Sequence, residues 1–456
     1  MASLAAAAPA PVLWLREGRE TLRLGWPLIA AQLATQALTL VDVVMMGWLG
    51  PAFLAGGALG AAAFFPLQMF GYGVVTATAP MAAQAVGARR ARDVRRTIRQ
   101  GLWLALALSA LLIPLILQGE RVFRAIGQPA ESAALAGEYL AFAAWQLPAA
   151  LGFIALRAFV AALGETRIVL LVTLAAIPLN AALNGLLMFG LLGFPRMELA
   201  GAGLATALVH TGMFAALFRY CLRRRRLRRY ALAARFWRAD WPRFFALIRL
   251  GAPIGLTMLA ESGLFAAASA LVGWIGADAL AAHAVAIQIT SLTFMIPYGL
   301  SQATTVRVGT AWGAADRAGA RRAGVVALAL TGGYMSAAAA LLWLAPEALI
   351  APFFDPAEPA NAAASALAVS LLAVAAVFQL ADGTQVAAAG ALRGIGDTAR
   401  PMTVALIGYW AVGVPTALLL GFPLGFGAPG VWAGLAAGLL FAAVALTRRF
   451  ERLTRG

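Results

Sequence analysis

The chain has no lysine, one cysteine and two histidines in 456 residues. A single Cys221 excludes an internal disulfide framework and a multi-cysteine metal site. Charged residues are scarce, at 12% against about 25% in soluble domains. A chain long enough for two or three soluble domains therefore lacks the polar surface to cover them. No HExxH, P-loop or GxSxG signature occurs, and no polar stretch is long enough for a nucleotide-binding domain. Those absences argue against an enzyme and against an ATP-driven pump. The segment Ala5–Leu15 is short and has no basic region before it, so no secretory signal is expected.

What the chain has is hydrocarbon: 62% of its residues are hydrophobic, with a mean hydropathy of +0.83. Apolar runs of about 20 residues predict helical membrane spans, whereas barrel strands would alternate over about 10. Twelve spans are expected, near 24–46, 54–86, 101–118, 135–156, 168–190, 200–221, 246–274, 280–306, 323–345, 362–390, 402–420 and 430–447. The fold class is thus an all-α polytopic membrane protein. Pro66, Pro80 and Pro297 are candidate kink sites.

All 35 basic residues are Arg, and the net charge is +16. Their placement argues against nucleic-acid binding. Six lie in 89–99, eleven in 219–249, and further groups follow spans 8, 10 and 12. Every cluster follows an even-numbered span. The odd loops instead hold Glu120, Glu131, Glu198, Asp278, Glu347, Asp355 and Glu358. By the positive-inside rule both termini are cytoplasmic.

The two halves repeat. At an offset of 226 they align without a gap from Arg23 to Arg96: Arg23-Leu24-Gly25 with Arg249-Leu250-Gly251, Gly47-Trp48-Leu49-Gly50 with Gly273-Trp274-Ile275-Gly276. Further on, Gly164-Glu165-Thr166 corresponds to Gly396-Asp397-Thr398, which read as tight turns and helix caps. Six spans per half is an even number, so the halves are parallel repeats. The expected organisation is a cytoplasmic segment at 1–22, an N-lobe at 23–221, an Arg-rich linker at 222–245, a C-lobe at 246–447 and a tail at 448–456. The two six-helix lobes would surround a central cavity.

Three acids stand alone in uncharged stretches: Asp42, Glu261 and Asp382. A carboxylate in hydrocarbon is costly, so such residues pair, line a wet cavity or carry protons and ions. The repeat does not duplicate them, since Asp42 corresponds to Ala268, Glu261 to Thr35 and Asp382 to Ala150. Asn180 and Asn184, four apart on one helix face, and Thr206 extend Asp42 into a polar cluster in the N-half. Such oxygens suit a hard cation such as Na⁺. The same groups equally suit a proton, since burial favours a neutral carboxyl. Each acid has a purely structural alternative, a hydrogen-bonded tie between helices, and the Asn pair can be interhelical glue. Met69, Tyr72, Phe294 and Tyr298 are candidate cavity-lining residues, with helix packing as the alternative. His210 and His283 read as packing or rim residues.

Together the residues resemble the MATE (multidrug and toxic compound extrusion) family. The resemblance is carried by Val41-Asp42-Val43-Val44-Met45-Met46-Gly47-Trp48-Leu49-Gly50, Val306-Arg307-Val308-Gly309 and Arg393-Gly394-Ile395-Gly396-Asp397-Thr398. The NorM-like bacterial branch is the most similar, having an acid in span 7 and another in span 10, here Glu261 and Asp382. It also has an acid in span 1 and two Asn in span 5, here Asp42, Asn180 and Asn184. Phe294 stands where some members have Tyr, which removes one hydroxyl. The resemblance implies a monomeric antiporter of the bacterial inner membrane. It would export cationic or amphipathic drugs in exchange for Na⁺ or H⁺, with no other cofactor and no nucleic-acid partner. The rival readings are a flippase for lipid-linked precursors, a membrane-embedded enzyme and a non-transporting scaffold. A flippase needs a cationic cavity for pyrophosphate. The lone intramembrane charges read here as acidic.

Overall fold

A computed structural model describes residues 10–354, 358 and 361–455. Among the described residues, twelve helices are long and apolar enough to cross a membrane. They are α1 (Pro11–Leu49), α2 (Pro51–Gly87), α3 (Ala91–Ala125), α4 (Ala130–Ala162), α5 (Arg167–Phe189), α6 (Glu198–Arg223), α7 (Trp241–Ile275), α8 (Ala277–Gly313), α9 (Arg317–Leu344), α10 (Ala362–Ile395), α11 (Ala399–Gly421) and α12 (Gly427–Arg455). No strand occurs among the described residues. Most helices overrun the apolar stretch that reveals them. The stretch before Arg23 is the start of α1, and residues 448–455 are the end of α12. Residues 1–9 of the N-terminal segment, and Asp355, lie outside the described residues.

The connections follow from local chemistry. Gly50 alone joins α1 to α2, and Gly276 alone joins α7 to α8, with φ of 129° and 152°. Only glycine adopts that region without strain, and the two positions are related by the repeat offset. Of the three candidate kink prolines, Pro80 interrupts its helix: α2 breaks at Ala77, three residues before it. The missing N–H of a proline removes the bond to the carbonyl four residues back. Pro66 and Pro297 lie inside unbroken helix. In α11 the residues Ile407–Gly413 widen into a π-helical turn just before Pro415.

The chain forms two compact units. One is Ala30–Leu259, here the N-unit, and the other, the C-unit, comprises the chain up to Ile29 together with everything from Ala260 onward. The boundaries cut through α1 and α7. In the N-unit the first half of α7 packs on α2, where a Cβ on Gly255 would lie 2.7 Å from the Phe70 carbonyl oxygen. In the C-unit the first half of α1 packs on α8, where a Cβ on Gly299 would lie 2.7 Å from the Ile29 Cα. Gly255 and Ile29 are related by the offset of 226, so the same crossing is built twice.

Ion pairs hold the first halves of α7 and α1, to α3 in the N-unit and to α8 in the C-unit. In the N-unit Arg243 Nη2 donates to Asp93 Oδ1 at 2.9 Å, and Arg96 Nε to Asp240 Oδ2 at 2.5 Å. The linker is held there too: Arg99 Nη1 donates to the Arg235 carbonyl at 3.1 Å and Trp103 Nε1 to the Phe236 carbonyl at 2.9 Å. In the C-unit Arg307 grips Glu17 with two bonds, Nε to Oε1 at 2.8 Å and Nη2 to Oε2 at 2.7 Å. Glu17 and Arg243 are again 226 apart. The repeated turns serve as ties: Tyr220 donates to Glu165 Oε2 at 3.2 Å, and Arg449 Nε donates to Asp397 Oδ2.

Candidate functional site

In the N-unit the Asp42 cluster assembles as its residue types require. Asp42 on α1 faces α5 and α6. Asn184 Nδ2 donates to Asp42 Oδ1 at 2.7 Å and to Asn180 Oδ1 at 3.3 Å. The Thr206 hydroxyl reaches Asp42 Oδ2 at 3.5 Å and gives its shorter bond, 2.9 Å, to the Ala202 carbonyl. Its lone pairs therefore point away from its own helix. Asn180 and Asn184 are buried, and Asn184 Oδ1 has no hydrogen-bond partner. The cluster thus gathers two carboxylate oxygens, two amide oxygens and a hydroxyl, a donor set that fits a hard cation such as Na⁺. The Tyr139 phenol on α4 lies within electrostatic reach of Asp42.

In the C-unit Glu261 on α7 and Asp382 on α10 lie within electrostatic reach of each other. Asp382 is 5% exposed and Glu261 is half-buried. Their immediate neighbours Ala260, Leu264, Phe378 and Ala381 pack in one apolar cluster with Tyr409 of α11 and Trp432 of α12. No described side chain donates a hydrogen bond to either carboxylate, and none of Asp42, Glu261 and Asp382 forms an ion pair. One helical turn from each acid stand Phe265 and Phe378, with ring centroids 6.2 Å apart and planes at 69°. Phe378 in turn meets Trp432 edge-on at 5.4 Å.

Trp432 is held by a chain whose polarity can be read. Trp432 Nε1 is only a donor and lies 3.0 Å from His283 Nδ1, so that nitrogen accepts. His283 Nε2 then carries the hydrogen and donates to Ser269 Oγ at 3.0 Å, and Ser269 donates to the Phe265 carbonyl at 3.0 Å. His283 is 2% exposed and packs as a neutral ring.

Of the candidate cavity residues, Phe294 and Tyr298 stack within the C-unit, centroids 6.0 Å apart. In the N-unit the Tyr72 hydroxyl accepts from Gln68 Nε2 at 3.3 Å. Met69, Tyr72, Phe294 and Tyr298 are all half-buried.

Three arginines stand in the same helices, just past the apolar runs. Arg157, Arg307 and Arg393 all lie inside the twelve apolar helices. Arg307 is neutralised by Glu17, and Arg157 Nη1 donates to Gln32 Oε1 at 3.1 Å. Arg393 is 8% exposed, donates to Ser301 Oγ at 3.4 Å and lies within electrostatic reach of Glu261. Hydropathy places these residues at span ends because each sits where the apolar run thins; the helices continue past that point. Other neighbours of Asp382 also escape a search for charges: Gln379 and Gln385 on its own helix, and Tyr409, whose hydroxyl accepts from Gln385 Nε2 at 2.6 Å. Their one signal is the spacing of three residues either side of Asp382.

Comparison with known proteins agrees with this architecture. The MatE family model matches residues 27–186 and again 253–419, two blocks whose starts are 226 apart. The "Probable multidrug resistance protein NorM" of Mesorhizobium japonicum is 47% identical over 100% of this chain and 98% of its own length. The NorM protein of Brucella suis is 45% identical over 96% of this chain and 94% of its own length. Among solved structures, an outward-facing multidrug resistance MATE family transporter superposes with a TM-score of 0.87 at 20% identity, covering 98% of both chains. The eukaryotic MATE transporter AtDTX14 gives 0.84 at 21% identity, covering 97% of this chain and 98% of its own.

Proposed function

The chain belongs to the MatE family, and we propose that it is a multidrug efflux antiporter that expels cationic or amphipathic compounds in exchange for Na⁺ or H⁺. The observation behind the coupling role is the pair of acids in the C-unit. The neighbours of Glu261 and Asp382 pack in one apolar cluster, the two acids lie within electrostatic reach of each other, and neither has an ion-pair partner among the described residues. Two such carboxylates attract a cation. Occupancy by the coupling ion neutralises them and weakens their hold on a cationic drug. Exchange requires only that the two occupancies oppose each other. Asp42 with Asn180, Asn184 and Thr206 is the second coupling site, with Asn184 Oδ1 as its unused ligand.

The protein works by alternating access as a monomer in the bacterial inner membrane. Both termini are cytoplasmic, because the Arg clusters follow the even spans. No cofactor is required beyond the coupling ion. Phe294, Tyr298, Met69 and Tyr72 present adaptable apolar surface to the drug.

Glu261→Ala and Asp382→Ala should each abolish drug resistance in cells without loss of membrane expression. Full resistance in both variants overturns the coupling role. Counterflow of a fluorescent cation in proteoliposomes, with Na⁺ and H⁺ gradients imposed separately, identifies the coupling ion.

A further inference from the structure

Asp382 sits in a row of polar side chains that no protein contact explains. Gln379, Asp382 and Gln385 are spaced three apart on α10, so they form one inclined row on the helix surface. Their exposures are 1%, 5% and 4%. Gln379 has neither a donor for its Oε1 nor an acceptor for its Nε2. Gln385 spends Nε2 on Tyr409 and leaves Oε1 unused. Beside the row, α9 supplies Thr331, 1% exposed, whose Oγ1 is likewise unpartnered. Thr331 differs here from most buried threonines of the bundle. Thr173, Thr290 and Thr304 each donate to the carbonyl four residues back, as a hydroxyl on an apolar helix normally does.

Gly383 brings α9 against the face of α10 that carries Gln379 one turn earlier. A Cβ there would lie 3.2 Å from Thr331 Cγ2 and 3.1 Å from Met335 Cε, so α9 and α10 meet closely at the level of Asp382. The titratable groups within electrostatic reach of Asp382 are Glu261 from α7 and Tyr409 from α11. None of them donates to it.

Three of these leftover atoms, Gln379 Oε1 and Nε2 and Thr331 Oγ1, belong to the flank of α10 that meets α9, since Gln379 stands one turn before Gly383. Over nine in ten buried polar groups are satisfied in native proteins. A bare cation would satisfy the oxygens but not the Gln379 amide hydrogens. Water satisfies both, since it donates and accepts, and buried waters typically make about three bonds to such groups.

We propose that Gln379 and Thr331 bind ordered water that solvates Asp382 from within the C-unit. The coupling ion then reaches Asp382 through this water. The second statement rests on the coupling role proposed for Asp382; the water site itself does not. Gln379 and Thr331 are positioning residues in this scheme.

The test is X-ray hydroxyl-radical footprinting of the full chain in lipid nanodiscs, read at Met335. Met335 is fully buried, so radicals reach it only if water lies beside it. Oxidation at a rate comparable with exposed methionines is expected, falling about tenfold in Gln379→Leu. Gradient-driven ethidium export by proteoliposomes should fall about tenfold in Gln379→Leu and in the near-isosteric Thr331→Val, the equivalent of one lost partner, with KM for ethidium unchanged. A protected Met335 in the unmodified protein overturns the water site, whether or not a variant folds. Wild-type export by both variants overturns the route through it. Asp382→Asn exporting at the normal rate while Met335 is oxidised would instead sink the coupling role and leave the water site standing.

Discussion

The two units handle buried acid in opposite ways. Asp42 in the N-unit is met by a donor, Asn184 Nδ2 at 2.7 Å, with the Thr206 hydroxyl 3.5 Å away. Asp382 in the C-unit is more deeply buried, yet no described side chain donates to it, and the amides nearest it in sequence hold unpartnered atoms. A carboxylate that is hydrogen-bonded by its own protein contributes to holding helices together. One that is not depends on something from outside, whether ion, proton or water. The contrast separates a site where structure and ligand binding overlap from one where they do not.

The largest expected difference follows directly. Asp42→Ala strips the buried Asn184 Nδ2 of its shortest acceptor, so it should destabilise the protein by about 1–3 kcal/mol. Asp382→Asn removes no protein hydrogen bond and should leave the unfolding temperature within a degree or two of the wild type, while abolishing export. Thermal unfolding of the solubilised protein, run beside proteoliposome transport, reads both. Equal losses of stability in the two variants would erase the distinction between the sites.

How far the sequence reveals these sites depends on what each residue is. Asp42, Glu261 and Asp382 stand out because a charge in an apolar run is rare. The pair Asn180 and Asn184 follows from a spacing of four, which puts both on one face. Gln379 and Gln385 are uncharged, and within hydropathy they pass as two polar residues in a long span. Only the neighbours on α9 and α11 give them meaning, and those neighbours are remote in sequence. The twelve helices are legible for the same reason, since each is a continuous apolar run. Which partner each half of a helix packs on is not. The first halves of α1 and α7 belong to units other than the ones their second halves join, and periodicity within one helix contains no information on that choice.

A smaller effect compares how the units fasten those first halves. Glu17 and Arg307 in the C-unit form a two-bonded pair with side-chain exposures of 10% and 31%. Glu17→Gln keeps the shape and removes the charge. The expected loss is about 1–3 kcal/mol, the range for hydrogen bonds to charged groups. In the N-unit the load is divided between Arg243 with Asp93 and Arg96 with Asp240, so the loss of either partner there should cost less. A larger loss for Asp240→Asn than for Glu17→Gln would show that the load in the N-unit is not divided.

The smallest effect has a pH signature. Asp240 lies just before α7, with its side chain 8% exposed against 45% for Arg96. The hydrogen bond from Arg96, aided by the Arg96 charge and a backbone bond at Arg243, outweighs burial and holds the Asp240 carboxyl below its ordinary value of 3.8. A depressed carboxyl stabilises the fold fully above the unfolded value, and this contribution fades as pH falls through 3.8 towards the folded value. The half-exposed guanidinium limits the pair to under about 1 kcal/mol. Wild type should therefore exceed Asp240→Asn in stability by that margin at neutral pH, and the two should converge as pH falls below 3.8 and through the folded value. Added salt should shrink the margin at neutral pH as well, since the pair is partly open to solvent. A margin that persists unchanged at low pH would mean that Asp240 holds the linker by shape alone.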